Sequence, residues 1–352
     1  MSSASSISDP FVEAIRAAII AGLPPTNSSR RAIIFHGNCC DGLGSAFLLS
    51  LESSGDSLYF PVSPSDKRTW PDPKTLKGYE IVFADVCFDR EDMLAYGSIS
   101  AESGKSLLVF DHHPQSTIIA AAESPFNPSS VISTAHCATH LIWTARHPSE
   151  PIPRWVQMLD DIDNWRHITP EHRALRELVH PIAKAAVDKN PQQALMEFAH
   201  LVNDRLATEE GFASVIAEGQ ALVTAKLVRH EEMLTVCPTR CVPVKDSPWP
   251  LPISWTGNIY VVNTSREFIG SCQFDTTLMA EVLFERLPEV NVFVNYHVVK
   301  WLKNGKQHRK FVYHARARDG INLTQCPVLK GHPSAAGGQE EEREGVPTYF
   351  EL

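Results

Sequence analysis

Four short polar segments of this chain carry the residue types that hold metal ions. They are His36-Gly37-Asn38-Cys39-Cys40-Asp41-Gly42, Asp85 at the end of IVFAD, Asp111-His112-His113, and Asp160-Asp161-Ile162-Asp163-Asn164-Trp165. Imidazole and carboxylate together suit Mn, Fe, Co or Zn, and so many histidines disfavour calcium. Two such ions about 3.5 to 4 Å apart can share a carboxylate and activate one water for in-line displacement at phosphorus. A dinuclear phosphohydrolase is the chemistry this set is able to do. Each segment alone has a plainer reading. Asp41 or Asp85 can be the N-cap of a following helix, a single histidine a hydrogen-bonded core or surface residue, and the acids at 160–163 a helix end facing water. The set acquires meaning only if the fold brings it together.

The surrounding pattern predicts that it does. Ala32–Phe35, Leu58–Val62, Ile81–Ala84 and Leu107–Phe110 are short apolar runs of the kind found in buried parallel strands. Helical patterns at Leu43–Leu51 and Arg90–Tyr96 fall between them, the rhythm of a doubly wound α/β domain. Ligands of such sheets gather at the carboxyl ends of the strands, where the first three segments lie. From Ser133 to about Glu232 the pattern turns helical, over Thr134–Arg146, Trp155–Asp160, Pro191–Asn203 and Glu209–Glu232. A Pro-rich break then precedes strands at Ile259–Val262, Val290–Val299 and Lys310–Ala317 and a helix at Thr276–Arg286, an α+β pattern. The expected division is a tail with a short helix at Phe11–Leu23 (1–30), an α/β domain (31–203), a helical connector (204–236) and a smaller α+β domain (237–352).

Composition narrows the partners. With 32 Lys plus Arg against 41 Asp plus Glu, the 352 residues carry a formal charge of -9. Such a chain is a poor general binder of long duplex nucleic acid, whose affinity comes mostly from phosphate neutralisation; a short anionic substrate held through metal ions suits it better. No apolar run approaches the roughly 20 residues of a membrane span, so no membrane partner is expected. The start MSSASSISDP lacks the basic and apolar parts of a secretory signal, so the eight cysteines are expected as thiols in the cytoplasm. CPTRC at 237–241 falls short of a zinc ribbon. Cys40, Cys87, Trp165 and Trp301 read as packing residues, and the EEERE run from Glu340 as a solvated turn.

Taken in order, HGNCCDG, the Asp of FADVCF, the DHH of VFDHHP and DDIDNW resemble the four motifs of the DHH phosphoesterase superfamily, in its HGxCxDG form. GHPSAAGGQ at 331–339 resembles the glycine-rich signature of the DHH-associated C-terminal domain. The resemblance implies that His36 and Asp85 hold a first metal, and that Asp41, Asp85, His112 and one Asp of the 160–163 segment complete a pair of sites bridged by Asp85. Asp161 is favoured for the last place, with Asp160 and Asp163 as alternatives. Asp111 is implied to orient a histidine, and His113 to face the substrate phosphate. Cys39 stands where many members carry Asp, and is either a ligand or a small buried residue; a thiolate favours softer ions than Mn. In the second domain, Arg316 is implied to bind the distal end of the substrate. Arg318 either helps it or is a surface charge, while Gly331, His332, Gly337 and Gly338 form a loop approached closely by the ligand.

The implied activity is hydrolysis of phosphodiester or phosphomonoester bonds in short oligonucleotides or nucleotides. It would use two divalent ions, Mn first and Co, Zn or Fe as substitutes. The alternatives are an inorganic pyrophosphatase or exopolyphosphatase, and a non-catalytic nucleotide-binding protein. The oligomeric state, a homodimer included, is left open.

Overall fold

The computed structural model describes residues 30–53, 55–64, 66–121, 129–166, 168–265, 274–303, 305–318, 320–331, 334–342 and 348–352. The helix expected at Phe11–Leu23 lies outside the described residues, as does His332. The chain divides into two units, Met1–Ala221 and Leu222–Leu352.

The first unit contains five strands, β1 (Arg31–His36), β2 (Leu58–Val62), β3 (Glu80–Ala84), β4 (Leu107–Asp111) and β5 (Val131–Ile132). They pair in parallel in the order β2-β1-β3-β4-β5. Its helices are α1 (Cys40–Leu51), α2 (Arg90–Glu102), α3 (Pro114–Ala121), α4 (Ala138–Arg146), α5 (Arg154–Asp163), α6 (Pro170–Asp188) and α7 (Pro191–His200), and α8 (Glu209–Val236) crosses the boundary between the units. The central strands are nearly all apolar because both faces are covered. Ile33, Phe35, Val82, Ala84, Leu108 and Phe110 enter one core with residues of α1 and α4 to α7. Their neighbours Ala32, Ile34, Ile81, Phe83, Leu107 and Val109 enter a second core with Met93 and Tyr96 of α2. Alternate residues of three strands thus feed two cores, the doubly wound arrangement expected. The register pairs Phe35 with Ala84 and Ala84 with Phe110, so His36, Asp85 and Asp111 arrive together at one edge of the sheet. The strand order reverses between β1 and β3, the crevice where open α/β sheets bind ligands.

The second unit holds β6 (Thr239–Pro243), β7 (Asn258–Asn263), α9 (Thr276–Arg286), β8 (Val290–Lys303), β9 (Lys306–Ala317), β10 (Lys330–Gly331) and β11 (Ala335–Glu341). The sheet order is β10-β11-β9-β8-β7-β6, with β7 and β8 parallel and the other pairs antiparallel. One face packs Val294, Tyr296, Phe311 and Tyr313 against Trp249, Trp255 and Phe350. On the other, Thr276 and Thr277 of α9 hydrogen-bond Asn295 and Arg316 at the base of the sheet.

Two expectations for this unit are corrected. Gly337 and Gly338 do not form a loop; they lie in β11, paired with His314 and Tyr313 of β9. At Gly338 a Cβ would lie 1.6 Å from the Val328 carbonyl oxygen, so the passage of the preceding turn already demands glycine there. Glu340 and Glu341 continue that strand, and Glu340 accepts a hydrogen bond from the Tyr313 hydroxyl at 3.0 Å, so they are not a solvated turn. The seven cysteines among the described residues are free thiols. Among the described residues, no helix is long and apolar enough to cross a membrane.

Candidate metal centre

β1 ends on His36 and turns into α1 through Gly37 and Asn38. Asn38 sits at φ 59, a left-handed conformation that asparagine tolerates better than most residues. Cys39 is the N-cap of α1 but makes no side-chain capping bond. The helix starts so close to the strand that a Cβ on Gly42 would lie 2.1 Å from the His36 carbonyl oxygen. That approach buries Asp41 in the first turn of α1. Its Oδ1 accepts a bond from the Thr139 amide at 2.7 Å and its Oδ2 one from the Ala138 amide at 2.8 Å. Asp41 therefore caps α4, a helix far away in sequence, rather than its own. Burial, then the charges of Asp85 and Asp163, push its carboxyl up to about 7.

Asp85 follows β3 at φ 58 and is 1% exposed. Its carboxylate lies 3.3 Å from His36 Nδ1, 3.3 Å from His112 Nε2 and 3.8 Å from His113 Nδ1. Burial opposes its ionisation, and the imidazoles of His112 and His36 overcome that, holding the carboxyl well below the usual range. The histidines respond in the opposite sense. Burial works against charging His112, but Asp163 and Asp85 push it up to about 12; burial likewise opposes His36, and Asp85 raises it. A field this negative favours exchanging the imidazole protons for a cation.

Asp111 is fully buried and directs the histidine beside it. Its Oδ1 lies 2.7 Å from His113 Nδ1 and accepts the His112 amide at 2.9 Å, while its Oδ2 accepts the Ser116 hydroxyl of α3. Burial disfavours the charged form of His113, yet Asp111 lifts it to about 9. Ser116 is a buried polar residue that no sequence motif marks.

The fourth segment contributes Asp163. Its Oδ2 lies 3.0 Å from His112 Nε2 and its Oδ1 3.8 Å from Cys39 Sγ. Asp161, the favoured candidate, is elsewhere: it faces Arg166 Nε at 3.7 Å and His172 Nε2 at 3.6 Å. Helical geometry is the reason, since residues two apart on α5 point to opposite sides while residues three apart share one. Asp160 does share the side of Asp163, but its oxygens are occupied. Oδ1 accepts the Cys137 amide at 2.6 Å and the Asn164 side chain at 2.9 Å; Oδ2 accepts from Arg166 and lies 2.7 Å from His136 Nδ1. His136 stacks on His140, with ring centroids 3.8 Å apart. The spacing of these two histidines, four residues apart, is a sequence signal for a second polar cluster.

Three groups of donors converge on one place: His36, Cys39 and Asp85; Asp85, His112 and His113; and Asp41, His112 and Asp163. Within each, the offered atoms lie within 4.8 Å of one another, and Asp85 belongs to two. Both oxygens of Asp85 and Oδ2 of Asp163 are buried yet accept no hydrogen bond from the protein. Buried carboxylate oxygens without donors are costly, and coordination of a cation would satisfy them. The donor set of imidazole, carboxylate and one thiol suits borderline ions. Burial and the carboxylates of Asp85, Asp163 and Asp41 hold the Cys39 thiol well above its ordinary value, so it would need a cation beside it to ionise.

The candidates of the second unit form a group of their own. Arg316 donates through Nε and Nη2 to Thr277 Oγ1 at 3.2 and 2.8 Å, and through Nη1 to the Ala315 carbonyl at 2.8 Å. Arg318 is neither a helper nor a surface charge: it donates to the carbonyls of Val290, Phe284 and Leu287, closing the end of α9. Gly331 adopts φ 136 in β10, where a Cβ would lie 2.8 Å from the Ala335 carbonyl oxygen.

No protein-family model matches the chain. Over 168 residues it is 23% identical to an uncharacterised protein of Acanthamoeba polyphaga mimivirus, a stretch that covers 42% of this chain and 38% of that protein. Among solved structures, exonuclease RecJ bound to manganese is similar at a TM-score of 0.37 and 14% identity, covering 92% of this chain and 89% of that one. RecJ of Thermus thermophilus in complex with Mn2+ is similar at a TM-score of 0.42 and 15% identity, covering 95% of this chain and 52% of that one.

Proposed function

We propose that this chain is a divalent-metal-dependent phosphoesterase of the DHH superfamily, acting on short oligonucleotides or nucleotides. The observation that carries the reading is Asp85, a buried carboxylate at the switch point of the sheet. Both its oxygens lack hydrogen bonds, and His36 and His112 flank it. His36, Cys39 and Asp85 would hold one ion, and Asp41, Asp85, His112 and Asp163 the other. Bound there, divalent ions acidify water and screen the charge of a phosphate. The protein's own part is orientation. Asp111 accepts the Nδ1–H of His113 and favours the doubly protonated ring, which leaves an Nε2–H to donate to a phosphate oxygen. Arg316 is the anion-binding candidate of the second unit.

The choice among Asp160, Asp161 and Asp163 yields a direct prediction. Asp163→Asn is expected to weaken Mn2+ binding at least about 100-fold, beyond the effect of changing a residue that only supports a ligand. Asp161→Asn should change it less than about twofold, because that carboxylate faces Arg166 and His172. Calorimetric titration of each variant with Mn2+ decides, and a loss of less than about twofold in Asp163→Asn would remove Asp163 from the centre.

The function itself is tested by metal analysis of the purified protein together with a panel of dinucleotides, nucleoside 3'-phosphates and polyphosphate, supplied with Mn, Co or Zn. Release of mononucleotides from dinucleotides is the expected result. Phosphate release from polyphosphate alone, or no hydrolysis with any ion, would overturn it.

A further inference from the structure

β8 and β9 continue past their neighbours as a two-stranded hairpin. β7 pairs with β8 as far as Tyr296, and β11 reaches only Lys310 on β9, whereas the hairpin itself stays paired to Lys303 and Lys306. Its charge is unlike that of the rest of the chain. Between Val290 and Arg318 there are seven Lys or Arg and no Asp or Glu, in a protein whose net charge is -9.

The register sorts these residues onto faces. Pairs His297–Val312, Val299–Lys310, Trp301–His308 and Lys303–Lys306 alternate with pairs that include Val298–Phe311 and Leu302–Gln307. The first set continues the face on which α9 covers Asn295 and Arg316, and among the described residues no helix is seen to pack on it beyond them. Two ring pairs lie along it. Trp301 stacks on His308 with centroids 5.5 Å apart at 18°, and His297 on His314 at 6.1 Å and 21°. They are four residues apart on β8, about 13 Å, so one short strand of nucleic acid can reach both. Lys303 and Lys306 are exposed beside the outer pair, and Lys310 lies between the two. Arg309 and Arg318 take no part, because the first is tied to Glu342 and Glu351 and the second closes α9.

Flat rings beside the lysines of the hairpin end match single-strand recognition, in which bases stack and cations track the backbone; the strand carboxylate on this face, Glu341 of β11, lies opposite Lys310, so the phosphate contacts fall to Lys303 and Lys306. A lipid surface fits less well: Leu302, 77% exposed, points to the face opposite Trp301, so the tip has no single apolar side to insert. We propose that this face of the β8–β9 hairpin binds single-stranded nucleic acid, stacking bases on Trp301–His308 and His297–His314 and holding phosphates with Lys303 and Lys306. The proposal rests on the phosphoesterase reading for its substrate, which it extends from a dinucleotide to a longer single strand. Trp301 then becomes a stacking residue rather than a packing one.

The test uses the full chain in EDTA, so that binding is read apart from hydrolysis. Anisotropy is followed with labelled single-stranded oligouridine and oligothymidine of about 12 nucleotides, within the usual site sizes, and with a duplex of equal length. Joint Lys303→Glu and Lys306→Glu replacement should weaken single-strand binding at least about tenfold and flatten its salt dependence by about 0.7 for each phosphate no longer neutralised. Trp301→Ala should weaken it about tenfold without changing the salt slope. All three positions leave the core untouched, and Lys303→Gln with Lys306→Gln is the milder pair, expected to move in the same direction. No single-strand binding, or binding unchanged by these replacements, overturns the proposal. So does binding of inorganic polyphosphate, duplex or anionic phosphatidylserine vesicles at equal affinity with Trp301→Ala silent. No single-strand binding by the unsubstituted chain beside intact dinucleotide hydrolysis rejects this face alone; binding in EDTA without hydrolysis under any metal rejects the phosphoesterase reading instead.

Discussion

Asp85→Asn is expected to reduce hydrolysis at least about a thousandfold while leaving the fold in place. Asparagine accepts the left-handed backbone that Asp85 occupies at φ 58, and its side chain has the same shape. What disappears is the charge shared by two donor groups. Metal ions supply several kcal/mol of transition-state stabilisation, and each 1.36 kcal/mol is about a factor of ten in rate, which gives the magnitude. A second reading needs no substrate. Mn2+ at about 100 times its dissociation constant adds roughly 2.7 kcal/mol to a protein that binds it only when folded, a rise in melting temperature of about 5 to 10 °C for a unit of this size. The wild type should show that rise and Asp85→Asn should not. A variant that kept either its kcat/KM or its Mn2+-dependent melting shift would show that Asp85 is not the shared ligand.

Gly42→Ala is expected to lose about 3 kcal/mol or more of stability, with loss of metal binding alongside. Helix propensity argues the other way, since Ala is better than Gly inside a helix by about 1 kcal/mol. Sterics win because the atoms in the way are backbone: the new Cβ would lie 2.1 Å from the oxygen and 2.9 Å from the carbon of the His36 carbonyl group, and no rotamer moves those. Relief requires α1 to retreat from the end of β1, which separates Asp41 from His36. At Gly44 the nearest atoms are instead side chains of Thr139 and Leu159, at 2.7 and 2.9 Å, which can shift a little, so Gly44→Ala should cost less. Urea unfolding followed by circular dichroism ranks the two. An unchanged midpoint in Gly42→Ala would mean that the strand and helix do not approach each other this closely.

Much of the first unit is legible because the physics there is local. Strands buried on both faces must be apolar without interruption, and Ile33, Val82 and Val109 each sit in such a run. The polar residue ending each run then declares itself. Legibility fails where a neighbour distant in sequence decides the outcome. α6 does not stand out as a separate helix because Pro181 interrupts it, yet Val179, Ile182, Ala183 and Ala186 hold it in the core. β6 hides in a Pro-rich stretch; pairing with β7 along one side alone lets Pro243 end the strand. Gly338 signals close approach in any reading, but whether the approaching atom belongs to a ligand or to Val328 is not written in GHPSAAGGQ. The choice of Asp163 over Asp161 turns on the phase of α5, and a run of acids does not announce its phase.

The outer strands of the five-stranded sheet have a consequence for self-association. β2, at one border, contains Pro61, which has no amide to donate, and β5, at the other, is two residues long. Among the described residues, neither border offers an intruding chain a full ladder of backbone partners. This sheet is therefore poorly suited to growing by strand addition, either into aggregates or across a dimer axis. Symmetric association of this unit through its sheet borders is thereby disfavoured.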